Sequence, residues 1–115
     1  YMTPSAGRSK LYIIRPSQLY GVAKKISPTV DNVVITTLES GTYVVTNISS
    51  GVHRISAAGK YEGEHILEFE STAENNYFVK ISPKMGFALP QLNLEMISQD
   101  KGIGLVGKYE EIKEK

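Results

Sequence analysis

Two histidines and a short acidic stripe are the residues of this chain best suited to chemistry. His53 falls in Gly51-Val-His-Arg-Ile-Ser-Ala57, where alternation puts it on one face with Ile55 and Ala57. An imidazole on an apolar face, just after a turn, is expected to bond loop backbone rather than to act as a base or ligand. His65 has Glu62 and Glu64 for neighbours, a set that could hold a metal ion. Successive residues of an extended strand point to opposite faces, however, so His65 and Glu64 are badly placed to share one. Glu64, Glu68 and Glu70 fall at even spacings, the pattern of a solvated face or a charged edge that discourages strand addition. No nucleophile, base and orienting group stand together as a catalytic set. The chain is therefore expected to be non-enzymatic, with no metal and no cofactor.

Arg15-Pro16-Ser17 is the sharpest local motif. An arginine at a strand end can bind a carboxylate or phosphate, or can tie loop carbonyls within the fold. With no glycine-rich phosphate cradle nearby, the structural role is preferred. Met85, Phe87 and Leu89 lie between Pro83 and Pro90, too apolar for an idle loop. They are read as a lid or a contact patch. Together with Arg15 and Tyr20 they are the candidate ligand or partner contacts. The tyrosines suggest a sugar-stacking surface, but Trp, the best such platform, is absent and strand tyrosines usually bury the ring.

The elements that would position these residues are strands. Lys10 to Arg15 is apolar on both sides at its centre, as a central strand is, and Pro16 ends it. Strands are expected within Ile26 to Val30 and over Val33 to Leu38, either side of an Asp31-Asn32 turn. Gly41 to Asn47 and Gly51 to Ala57 alternate about Ile48-Ser49-Ser50 and read as a β-hairpin. In Glu64 to Glu70, His65, Leu67 and Phe69 share an inner face and Glu64, Ile66, Glu68 and Glu70 an outer one. Tyr77 to Ile81 and Leu92 to Ile97 complete the set. Leu105, Tyr109 and Ile112 have helical spacing, although Gly102, Gly104 and Gly107 each oppose a helix by about 1 kcal/mol relative to Ala.

About seven short strands with regular turn signals predict a mainly β fold, an antiparallel β-sandwich with a short C-terminal helix. Residues 1–9 read as a flexible lead-in and 10–115 as one domain. The 13 basic and 12 acidic residues leave a formal charge of +1 with no basic block, which argues against nucleic acid. Without Cys there is no disulfide or thiolate chemistry, a state that fits either an oxidising or a reducing compartment. No apolar run approaches the ~20 residues needed to span a bilayer.

Four segments in order, Lys10-Leu-Tyr-Ile-Ile-Arg-Pro-Ser17, Gly41-Thr-Tyr43, Gly51-Val-His-Arg-Ile-Ser-Ala57 and Asn76-Tyr-Phe-Val79, resemble the bacterial group catalogued as domain of unknown function 2846. The resemblance covers roughly residues 10–97. Ser50 stands where that group usually has Pro, and Val33-Val34 near its usual Asp-Gly turn. It implies an exported β-sandwich of the cell envelope or periplasm, often lipid-anchored through a Cys upstream of Tyr1. It brings no catalytic residues. The expected partner is a protein or a cell surface, and membrane contact is expected only through such an anchor.

Overall fold

The computed structural model describes residues 7–17, 25–58, 64–84 and 91–114. They hold nine strands and one helix. The strands are β1 (Ser9–Arg15), β2 (Thr29–Val30), β3 (Val33–Val34), β4 (Thr42–Ile48), β5 (Gly51–Ala58), β6 (Glu64–Ser71), β7 (Asn76–Lys84), β8 (Gln91–Ile97) and β9 (Glu110–Glu111), with α1 (Gln99–Val106) between the last two. Two sheets form, one in the order β8-β7-β1-β4-β9 and the other in the order β3-β2-β5-β6. The mainly β architecture and short C-terminal helix agree with the sequence reading.

β1 takes the central place its double-sided apolarity predicts, flanked by β4 and β7. Leu11 and Ile13 face the other sheet and meet Val44, Ile55, Val79 and Ile81 in the main core. Tyr12 and Ile14 face the opposite way, into a second core with Tyr43, Phe78 and Val106 beneath α1. Each such fully buried aliphatic side chain contributes about 1.5–3 kcal/mol from removal of its surface from water. The protein thus has three layers: the four-stranded sheet, the five-stranded sheet and the helix.

Four expectations need correction. Thr42–Ile48 and Gly51–Ala58 are strands, but they do not form a hairpin with each other. β4 lies between β1 and β9, and β5 between β2 and β6, so both edges of each strand are taken by other partners. Ser49-Ser50 instead carries the chain from one sheet to the other as an arch. The segment from Thr72 to Asn75 makes a second arch between β6 and β7, with Glu74 at φ 63°. The pairing is also mixed rather than wholly antiparallel: β1 runs parallel to β7 and β4 parallel to β9.

The helix lies upstream of the predicted one. Ser98 caps it by accepting from the Lys101 amide. Gly102, counted against a helix, is what lets α1 approach: a Cβ there would sit 2.2 Å from the Phe78 ring. Tyr109 and Ile112, expected on the helix, flank β9 instead, where the amides of Glu110 and Ile112 donate to Gly41 O and Tyr43 O. Lastly, Ser9, assigned to the lead-in, belongs to β1: it is buried there and its hydroxyl donates to Thr72 O at 2.5 Å.

The Asp31-Asn32 turn is met as read, although the strand behind it spans Val33–Val34 and not the whole of Val33 to Leu38. Val30 pairs with Val33 across it, and both turn residues have positive φ, 51° and 71°, the geometry of a two-residue hairpin that Asp and Asn tolerate.

Candidate functional site

Of the five candidate contacts, Arg15 is described; Tyr20, Met85, Phe87 and Leu89 lie outside the described residues. Arg15 ends β1 and is only 3% exposed, with Nη1 donating to Leu38 O at 3.0 Å. Its own carbonyl accepts from the Gly41 amide at 2.9 Å. Burial lowers its pKa, partly offset by the charge of Glu39. The guanidinium therefore fastens the 38–41 turn to the end of β1. That is the structural alternative of the two the motif offered.

The residue after it, Pro16, lines a groove of about 500 Å³ between α1 and the outer face of β7. The parallel register sets Lys80 beside Ile14 on that face, next to Phe78, and Lys80 pairs with Glu95 of β8 at 3.1 Å. From the helix side come Asp100, Lys101, Leu105 and Lys108. The groove is thus a cationic channel with an apolar wall. Sequence reasoning passed it over because Lys101 and Lys108 share a side only once a helix is placed at 99–106, and Lys80 joins them from a distant strand.

On the far side of the molecule, the outer face of the four-stranded sheet carries a row read directly from its register: Val34, Thr29, Ser56 and Ile66. Thr29, half-buried, and Ser56, only 3% exposed, share a hydroxyl–hydroxyl hydrogen bond in the middle of this row. Val34 and Ile66 flank it, 45% and 52% exposed, with Val52 four residues from Ser56 along β5 at 68%. The acidic stripe lies on this face as predicted, Glu68 and Glu70 being exposed. Glu68 accepts from Arg54 across the strands at 3.2 and 3.3 Å. Whereas α1 covers the five-stranded sheet, no described residue forms a helix over this one.

His53 is buried and faces the core edge, as its alternation implied. Its Nε2 donates to Ser49 O at 2.7 Å, the expected loop-backbone bond, and Nδ1 meets Asp31 Oδ2 at 2.7 Å, which was not foreseen. Ser71 Oγ donates to the same Ser49 carbonyl at 2.8 Å. With both ring nitrogens committed, this imidazole is a structural clamp with neither nitrogen free to take a proton from a substrate. His65 is half-buried on the inner face. Among the described residues, no three His, Asp or Glu side chains cluster as a metal site, and no helix is long and apolar enough to cross a membrane.

The chain is similar to an uncharacterised protein of Haemophilus influenzae, 28% identical over 108 residues that make up 94% of this chain. It spans 63% of that protein's length. No family model matches the chain, and no solved structure matches it.

Proposed function

We propose that this chain is a non-enzymatic module of the bacterial cell envelope that acts through contacts with a protein or surface partner. The observation that carries the reading is the outer face of the β3-β2-β5-β6 sheet. Its exposed Val34, Ile66 and Val52 interrupt a surface that alternation would otherwise fill with charge. Exposed β-branched side chains on either side of a largely buried hydroxyl pair suit a protein partner, which can cover apolar area and exchange water for contacts. The envelope setting rests on the resemblance to domain of unknown function 2846, together with the lipid anchor that the resemblance implies. The commitment of His53 to Ser49 and Asp31 supports the non-enzymatic part.

A photoreactive residue in place of Ile66 tests this in cells. It should crosslink to one discrete envelope protein, and Val34→Lys should abolish the adduct while leaving the melting temperature unchanged. A probe that yields no adduct from either position 66 or position 52 would reject the contact face.

A second reading, a small-ligand-binding domain, is favoured by the groove beside Pro16. Its volume lies within the range of about 300–1,000 Å³ in which ligand sites usually fall.

A further inference from the structure

The groove between α1 and β7 has a charge imbalance that points to a class of ligand, and the assignment of that class rests on the small-ligand reading of the groove. Lys80 enters from the sheet and is neutralised by Glu95. Lys101 and Lys108 enter from the helix side, and neither ammonium group makes an ion pair with a described residue. Asp100 is the only carboxylate among the described residues lining the groove. The turn beyond the helix continues its direction, the Lys108 amide donating to Leu105 O. Seven residues along it is about two turns, or ~10 Å. Two flexible four-carbon stems can converge across that distance on a single group.

Two ammonium groups brought to one place repel each other, and a doubly charged ligand converts that repulsion into attraction. We propose that the groove binds a soluble phosphate monoester, with its dianionic head between Lys101 and Lys108 and its organic body along Leu105 and Pro16. The head carries about −1.5 to −2 charges near neutral pH, matching two lysines where a monocarboxylate leaves one uncompensated. Lysines act as point charges without the planar fork of arginine, so the site reads charge and reach rather than bidentate geometry. Asp100 opposes the ligand and holds the affinity down.

Titration of the isotopically labelled protein with phenyl phosphate, benzoate and phenol, followed by NMR amide shifts, tests the assignment. Phenyl phosphate should give saturable shifts at Lys101, Gly104 and Lys108. The double variant Lys101→Gln, Lys108→Gln should weaken binding about tenfold or more with an unchanged melt, and Asp100→Asn should tighten it about two- to fivefold. Raising salt from about 50 to about 200 mM should weaken binding by screening these exposed charges. Benzoate binding the groove as tightly as phenyl phosphate would overturn the phosphate assignment while leaving the small-ligand reading intact. An absence of saturable shifts with all three probes would overturn both. Phosphatidylserine vesicles supply the last arm: groove shifts produced by vesicles but not by phenyl phosphate would mean a lipid surface, and the soluble ligand would be rejected.

Discussion

The Nδ1 of His53 stands 2.7 Å from Asp31 Oδ2, while its Nε2 stands 2.7 Å from Ser49 O. One ring thereby ties the β2–β3 turn to the arch that leads from β4 into β5. A carbonyl oxygen can only accept, so Nε2 carries a proton. Asp31 accepts from the Arg54 amide through its other oxygen and its lowered pKa keeps it ionised, which favours a second proton on Nδ1 facing it. Below its raised pKa the clamp is an imidazolium gripped by two acceptors, so its strength depends on pH.

The pH window is set by the two partners. Burial acts to lower the His53 pKa, but the bonds to Asp31 and Ser49 and the charge of Asp31 outweigh it and raise the pKa above 6.5. Burial likewise acts to raise that of Asp31, but the Arg54 amide and then His53 outweigh it and hold the pKa below 3.8. The histidine contribution is therefore whole below about pH 6.5 and is lost as pH rises through the raised folded value. The aspartate contribution is whole above about pH 4 and is lost as pH falls through the lowered folded value. The difference in urea midpoint between the parent and His53→Gln should be greatest between about pH 4 and 6.5 and shrink above it. A difference that stays level from pH 6 to 9 would mean that the ring is held neutral.

The two glycines of α1 should respond oppositely to Ala. Gly102 is buried, and a methyl group there would lie 2.2 Å from the Phe78 ring, itself stacked on Tyr12 at a centroid distance of 4.7 Å. Neither ring has room to retreat in that core, so Gly102→Ala should cost about 1–3 kcal/mol. Gly104 faces open space, and Gly104→Ala should stabilise the helix by up to about 1 kcal/mol. Thermal melts of the pair measure both, and equal effects would place the helix differently against β7.

The contrast between those glycines shows what the sequence could and could not disclose. Alternation marked the strands and their inner and outer faces, because side-chain direction in a strand is a local property. The doubly apolar centre of β1 even revealed its place in the sheet. Alternation is silent about partners, however. A hairpin and an arch share the same two strands and short polar corner, so the β4–β5 connection was misread. Deciding it requires knowing that β1, β9, β2 and β6 have already occupied the edges. Gly102 misled for a related reason: in isolation it weakens a helix, and only the ring of Phe78, distant in sequence, makes its missing side chain an asset. The groove lysines and the Asp31–His53 clamp are likewise built from separate elements.

Gly51 opens β5 at φ 127°, a conformation costly for any residue with a Cβ. No atom lies within 4 Å of a Cβ built there, so substitution is opposed by backbone strain alone. Gly51→Val should lose about 1–3 kcal/mol in a denaturation experiment. A melt superimposable on the parent's would show that the arch relaxes freely.

Phe69 and Glu68 are sequence neighbours on opposite faces of β6, and their truncation should separate cleanly. Phe69 packs against the main core and lies 5.3 Å from the Tyr77 ring and 6.1 Å from His53. The Tyr77 hydroxyl in turn accepts from the Thr72 amide at 2.8 Å, so the phenyl ring braces one arch through Tyr77 and the imidazole clamp of the other. It is half-buried on an edge strand, which puts Phe69→Ala at about 2–4 kcal/mol, toward the lower end for a core aromatic. Glu68 forms a pair with Arg54 in which both side chains are about half exposed, so Glu68→Ala should change stability by no more than about 0.5–1 kcal/mol. Urea denaturation of the two variants at pH 5.5, where the His53 clamp is whole, provides the comparison. Losses of equal size would require the strand to be buried on both faces or shifted by one residue, because a one-residue slip exchanges every inner and outer side chain.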